Sequence, residues 1–244
     1  MTSTPTVGFI YPDHAAEDDY PLAASWLDAS FPVAHIYGTD LHAVPELLDL
    51  GSPARLAEGA RLLARHGPAA VVWACTSGSF VYGPEGAEEQ VATLEEATGV
   101  PTSSTSRAYL AALSALGIRK VAVAASYPDG VARLFVDYLA SAGVEVVSFS
   151  SAGIATAAEV GILTPAQVTA LVTGNDHPEA EALLVPDTAM RTLAVLPDLE
   201  SGLGKPVLTA NQVTIWEGLR LAGTPRYSAR LGTLFAERMA DAGR

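Results

Sequence analysis

Short apolar runs alternate with amphipathic segments along this chain. That alternation predicts an α/β fold built on parallel sheets. Residues 6–12 read as a first strand, closed by Pro12 and Asp13. Residues 21–27 read as the start of a helix and residues 33–37 as a short strand. Residues 38–50 are polar enough to predict a long connection, a candidate lid over a site. Ser52-Pro53 opens a helix to Arg65, with proline at its favoured first position and Leu56, Ala60, Leu63 and Ala64 at helical spacing. The run 70–74 reads as a buried strand. A helix at 85–98 stops at Gly99 and Pro101, a polar loop follows at 103–106, and a helix at 106–116 is capped by Gly117. The second half predicts strands at 120–125, 144–149 and 180–185 and helices at 131–142, 164–173 and 191–203. Residues 207–212 lead into a last helix ending at Leu221.

The second half repeats the first. Leu94-Glu95…Gly99-Val100-Pro101 parallels Leu199-Glu200…Gly204-Lys205-Pro206 at a constant offset. Tyr11-Pro12-Asp13 recurs as Tyr127-Pro128-Asp129, and Ala-Val-Val-Trp-Ala-Cys75 matches Ala-Leu-Leu-Val-Pro-Asp187. Such self-similarity implies two α/β lobes related by a pseudo-twofold axis, residues 1–117 and 118–224, with 225–244 packing back on the first. Cys75 and Asp187 then face each other across a cleft, one from each lobe. A planar ligand between them would have one group on each face, the geometry for moving a proton at a carbon α to a carboxylate.

Composition narrows the partners. The formal net charge of −13 argues against nucleic acid and against anionic membranes. No cluster of Arg or Lys awaits an anion, so helix N-termini and backbone N–H nests must hold one. No apolar run is long enough to span a bilayer, the first residues lack a basic region and signal core, and the single cysteine fits a reducing compartment, so a cytoplasmic protein is expected.

The chemistry concentrates at Cys75-Thr76-Ser77-Gly78-Ser79. A lone cysteine is often a small core residue. Here it follows a buried strand, at the end where doubly wound folds bind ligands, and a turn rich in small hydroxyl residues comes next. That setting predicts a thiol whose pKa is lowered by nearby N–H groups and which iodoacetamide modifies faster than a free thiol. Asp187 reads as the matching group of the second lobe, or as a cap for the segment after it. His14 is a candidate lining residue. His35, His42, His66 and His177 have no ligand spacing, so no metal site is expected. Trp73, Trp216 and Phe80 read as core.

These residues resemble the aspartate/glutamate racemase superfamily, and within it the branch of arylmalonate decarboxylases and maleate cis–trans isomerases. The resemblance runs over residues 6–233 and is carried by Cys75-Thr76-Ser77, Glu96-Ala97-Thr98-Gly99-Val100-Pro101, Ala125-Ser126-Tyr127, Glu159-Val160-Gly161 and Leu203-Gly204-Lys205-Pro206-Val207. It implies an enzyme without metal or organic cofactor, acting on a small carboxylate or dicarboxylate; a homo-oligomer is compatible with it. Cys75 would be the nucleophile or proton carrier. Thr76, Ser77 and Tyr127 would hold the retained carboxylate and stabilise an enediolate. Thr188 would add its backbone N–H, and Pro12 would shape the wall. Asp187 departs from the family, standing where the second-lobe cysteine belongs. Ala15 and Ala157 stand where maleate isomerases carry asparagines. Arylmalonate decarboxylases carry their cysteine in the second lobe and glycine in the first, the reverse of this chain.

Four readings follow. The first is decarboxylation of a substituted malonate, with Cys75 delivering the proton. The second is isomerisation of a maleate-like diacid, with Cys75 adding covalently and Asp187 shuttling a proton. Racemisation of an amino acid comes third because the two-thiol pair is absent. From a different class, the fourth is a non-catalytic binder of small acids that kept the fold.

Overall fold

Eight buried or half-buried extended runs pair into two four-stranded parallel sheets in this computed structural model, which describes residues 4–12 and 16–237. In the first half the order is β1 (Val7–Pro12), α1 (Asp19–Leu27), β2 (Val33–Ile36), α2 (Val44–Leu50), α3 (Pro53–Leu63), β3 (Ala70–Trp73), α4 (Ser77–Phe80), α5 (Gly83–Thr98), β4 (Thr102–Ser104) and α6 (Thr105–Leu116). The second half continues with β5 (Lys120–Ala125), α7 (Asp129–Ser141), β6 (Glu145–Ser151), α8 (Ala157–Gly161), α9 (Pro165–Thr173), β7 (Ala182–Val185), α10 (Leu196–Leu203), β8 (Val207–Thr209) and α11 (Ala210–Leu221).

The sheets run β2-β1-β3-β4 and β6-β5-β7-β8, the same order twice, with Ile10 opposite Trp73 in one and Val123 opposite Leu184 in the other. The internal repeat is thus a repeat of topology. In each sheet the chain leaves the first strand for one side and returns to the other. The crevice at that reversal, beyond the strands' carboxyl ends, is where such sheets bind ligands. In this chain the reversals lie between β1 and β3 and between β5 and β7.

Two helices lock the halves together. Helix α11 follows the second sheet yet lies against β1, β3 and β4 of the first. Gly218 makes the approach possible: a Cβ there would stand 2.5 Å from Val7 Cγ1. Helix α6 follows the first sheet, and its Tyr109 hydroxyl donates to the Val185 carbonyl at the end of β7 (2.6 Å). Thr105 and Thr214 join the two helices through a buried hydroxyl pair at 2.7 Å. One apolar core therefore runs through both halves, holding Phe9, Val72, Val123, Phe135 and Leu184 together. Trp73 and Phe80 are fully buried, and Trp216 packs at the core's edge. Residues 229–235 form two short turns near α10 and α11, where Glu200 accepts from the Thr233 N–H (2.8 Å) and Gln212 donates to the Leu231 carbonyl (2.8 Å). No helix among the described residues is long and apolar enough to cross a membrane.

Three local expectations are corrected. Residues 44–50 are helical, not open connection: Pro45 sits in the first turn, and Leu47 and Leu50, three apart, bury one face. The polar loop expected at 103–106 is the edge strand β4 followed at once by α6. Its small hydroxyls are satisfied locally, with Thr102 donating to the Val91 carbonyl (3.0 Å) and Ser104 capping Arg107 N–H (3.4 Å). The helix expected from residue 191 begins at Leu196, where Pro197 fits the first turn.

Candidate active site

The buried strand β3 ends by delivering Cys75 to the crevice, and the turn that follows is pinned from three sides. Trp73 Nε1 donates to the Gly78 carbonyl (3.3 Å), and Gln90 Nε2 donates to the same carbonyl (2.9 Å) and to that of Gly51 (2.7 Å). Ser106 donates to the Thr76 carbonyl (2.8 Å). Glycine at 78 leaves room, since a Cβ there would stand 3.1 Å from the thiol sulfur. The Gly78 N–H donates to Cys75 Sγ (3.3 Å), and Ser77 Oγ lies 3.8 Å from it.

The thiol is not activated as its sequence setting predicts. Burial pushes Cys75 up to about 11, with the nearby Asp187 charge adding to the rise, while Gly78 and Ser77 oppose it. Helix α4 is only four residues long and adds little dipole. Loss of water wins, and the group is a thiol at neutral pH.

Asp187 reaches the same crevice from β7. It is 3 % exposed. Its Oδ1 accepts from the Ala189 N–H (2.9 Å), and its Oδ2 accepts a short hydrogen bond from Ser126, the residue after β5. It therefore does cap a turn, but α10 begins only at Leu196, and Asp187 also lines the cavity.

Pro12, Cys75, Ser77, Asp187 and Thr188 line one cavity, together with Ala157 and residues 39–42. The Thr188 carbonyl accepts from Tyr11 (2.8 Å) and Asn211 (3.2 Å), which fixes the segment behind Asp187. Thr76 and Tyr127 stand behind this lining. The Tyr127 hydroxyl donates to the Pro186 carbonyl, so its one proton reaches a substrate only by leaving that bond. The Thr76 hydroxyl borders the Tyr127 phenol and has no hydrogen-bond partner of good geometry among the described residues. His14 and Ala15 lie outside the described residues. A hollow of about 230 Å³ between Leu116, Trp216, Tyr227 and Phe235 contains none of the residues singled out by the sequence.

The cavity itself measures about 30 Å³, roughly one water's share of the liquid. What closes it is the stretch 38–43. Leu41 pairs antiparallel with Thr156, His42 N–H donates to the Ala155 carbonyl (2.8 Å), and Ala157 N–H donates to the Asp40 carbonyl (2.8 Å). This strap crosses from the first half to the second.

Two site residues escaped the sequence reading. Ser126 holds Asp187 across 61 positions. His42 sits on the strap, 7 % exposed, with Nε2 3.8 Å from Asp187 Oδ2 and its ring edge-on to Tyr127 (4.9 Å). Its place in a candidate lid was the available signal. Among the described residues no group of three or more His, Cys, Asp or Glu is placed to hold a metal ion.

Comparison with known proteins decides the family. The sequence profile of the arylmalonate decarboxylase family matches residues 50–235. The chain belongs to the arylmalonate decarboxylase family. It is 31 % identical over 237 residues to the arylmalonate decarboxylase of Bordetella bronchiseptica, covering 91 % of this chain and 92 % of that one. It is 26 % identical over 172 residues to the maleate isomerase of Geobacillus stearothermophilus, 68 % of each chain. A liganded arylmalonate decarboxylase variant, with one glycine changed to cysteine and one cysteine to serine, superposes with a TM-score of 0.83. It is 28 % identical and covers 95 % of this chain and 99 % of that one. The motifs' resemblance to this branch of the aspartate/glutamate racemase superfamily is confirmed, and with it the two-lobed parallel α/β fold. The chain is an enzyme of the arylmalonate decarboxylase family.

Proposed function

We propose that this enzyme decarboxylates a substituted malonate without a cofactor, and that the Cys75 thiol protonates the resulting enediolate. The observation that carries the reading is Cys75 itself: the chain's single thiol, in the cavity with Asp187, kept protonated by burial. The substrate dianion loses carbon dioxide, and the bond's electron pair stays behind as an enediolate. Cys75 S–H gives its proton to the α-carbon, and the thiolate regains one from solvent. The Ser77 hydroxyl holds the retained carboxylate as charge grows on it, with the Thr76 hydroxyl, unpartnered among the described residues, in reserve behind it. Pro12 and Thr188 bound the substrate, and Tyr127 orders the Pro186–Asp187 backbone.

The similarity to the liganded variant supports a first-lobe donor, since that protein has gained a cysteine at a glycine and lost another. Protonation from this side predicts the product hand opposite to that of a second-lobe donor. The isomerase reading rests on the relative of 26 % identity. It requires a thiolate nucleophile, which the buried thiol opposes, and Ala157 lines the cavity with no group to bind a second carboxylate.

The test is 2-methyl-2-phenylmalonate in deuterated water. Carbon dioxide release, one α-deuteron in a product of single hand, and loss of both in Cys75→Ser are expected. Conversion of maleate to fumarate with no release from any malonate would replace this reading by the isomerase.

A further inference from the structure

Among the described residues, the cavity that must admit a dianion is lined by two carboxyl groups, Asp40 and Asp187, and by no Arg or Lys. Among the described residues, His42 is the one lining residue able to carry positive charge. Its hydrogen bonds define the proton count. Nδ1 faces the Ile154 carbonyl at 3.1 Å, and a carbonyl there requires a proton on Nδ1. Nε2 faces Asp187 Oδ2 at 3.8 Å. A neutral ring in this pose points a lone pair at a carboxylate oxygen. One further proton turns that repulsion into attraction. Asp187 is meanwhile arranged as an acceptor, with Ser126 and the Ala189 N–H both donating to it.

We infer that His42 and Asp187 form a charge-compensating pair, and that binding of a malonate dianion takes up one proton from solvent onto this pair. The inference rests on the decarboxylase reading and deepens it. His42 is a positioning residue: its imidazolium cancels the Asp187 charge and leaves the departing carboxylate unpaired. That assignment fits the chemistry, because pairing the leaving carboxylate would stabilise the ground state and slow the reaction. Among the described residues, the other titratable groups facing the pair are Asp40 on the strap, Cys75 from β3, and the buried phenols of Tyr11, Tyr109 and Tyr127. The phenols are pushed well above their ordinary value by burial first, with the Asp187 charge adding to the rise, and Cys75 is likewise held protonated. None of these four supplies a negative charge for the incoming proton to neutralise at neutral pH.

The probe is unsubstituted malonate, which has no aryl group to stabilise a carbanion. Calorimetry in buffers of different ionisation enthalpy, from about pH 6.5 to 9, counts the protons taken up. Uptake approaching about one proton within this range is the expected result. His42→Gln should abolish it and weaken malonate about 10- to 100-fold near neutral pH. Asp187→Asn should also abolish it, yet without that weakening. The double variant should bind like Asp187→Asn alone, a rescue that a merely structural role for His42 does not give.

Malonate binding with no uptake anywhere in this range, or uptake that persists in His42→Gln, overturns the inference and leaves the decarboxylase standing. If malonate binds too weakly to measure, the Michaelis constant for the methyl- and phenyl-substituted malonate reads the same proton. It should rise about tenfold per pH unit once the pair has lost its proton, and a flat profile overturns the inference. Absence of both malonate binding and turnover of any malonate removes the decarboxylase reading itself.

Discussion

Cys75 gives the sharpest test, because the two rival chemistries need opposite forms of it. A thiol of ordinary value 9.0 is about one-tenth ionised at pH 8; one pushed up to about 11 is about one-thousandth ionised. The thiolate population thus falls about 100-fold. A more basic thiolate is intrinsically more reactive, by about tenfold for this difference. The net expectation is alkylation by iodoacetamide about tenfold slower than in the urea-unfolded chain, before any protection by the strap is counted. Mass spectrometry of the single labelled peptide reads the rate against pH, and it should still be climbing at pH 10. The pH profile of kcat at saturating substrate then separates the chemistries. A proton donor must begin protonated, so activity limited by Cys75 holds through neutral pH and falls above about 11. A nucleophile must begin as thiolate, so activity rises about tenfold per pH unit toward the same value. Loss of the acid in Cys75→Ser should cost about 10²- to 10⁴-fold in kcat. An alkylation midpoint below pH 8, or a rate above that of the unfolded chain, would refute the argument that burial outweighs the Gly78 N–H.

Two further expectations concern the frame around the site. Asp19 is buried beside Asn211 and Thr192, and burial raises it from 3.8 to about 6 against their hydrogen bonds. Because the folded value is the raised one, the penalty is fully present above about 6, is relieved as pH falls, and is gone below 3.8. Asp19→Asn should therefore stabilise the protein at pH 8 by up to about 3 kcal/mol relative to its effect at pH 4, seen as a pH-dependent difference in Tm; an equal Tm shift at both pH values would dismiss it. Gly218→Ala should lower stability by about 1–3 kcal/mol by forcing α11 off β1, or about 2–4 °C in Tm per kcal/mol. A raised Tm, as the helix propensity of alanine alone would give, would show that Val7 yields without cost.

What the sequence made legible was whatever repeats locally. A run such as Ala-Val-Val-Trp can only be a buried strand, and the paired offsets around Gly99 and Gly204 carry the doubled topology. The same repeat aligned Cys75 with Asp187, and the two do line one cavity. The missing parts depend on contacts far apart in the chain. Ser126 stands in the Ala125-Ser126-Tyr127 motif, but nothing in the sequence gives it a role until the fold sets it on Asp187. His42 is separated from Asp187 by most of the molecule, and no spacing rule joins them. The direction of the thiol's shift was missed for a different reason. Strand, cysteine, small residues and helix read as an electropositive nest, but the strength of a nest depends on helix length and access to water. Neither is written in five residues.

Closure and charge then become one event. A cavity of about 30 Å³ holds no malonate, so the strap must move for substrate to arrive. The strap is held by two backbone hydrogen bonds to residues 155–157, each worth about 1 kcal/mol net, and by the His42–Ile154 contact. Opening at a cost of about 2–3 kcal/mol leaves a minor state of about one per cent, enough to admit ligand. While the strap is away, its histidine is away too, and Asp187 faces the crevice without it. On the proposed reading, a substrate of two negative charges would therefore meet an unfavourable site when open and a compensated one when closed. It binds the closed form better, and by that difference in affinity it draws the strap shut. In the proposed decarboxylation the same return of the strap would shut out bulk water, which would otherwise compete with Cys75 to protonate the enediolate from either face. On the proposed decarboxylase reading, the hand of the product would thus depend on a histidine that touches neither the departing carboxylate nor the α-carbon.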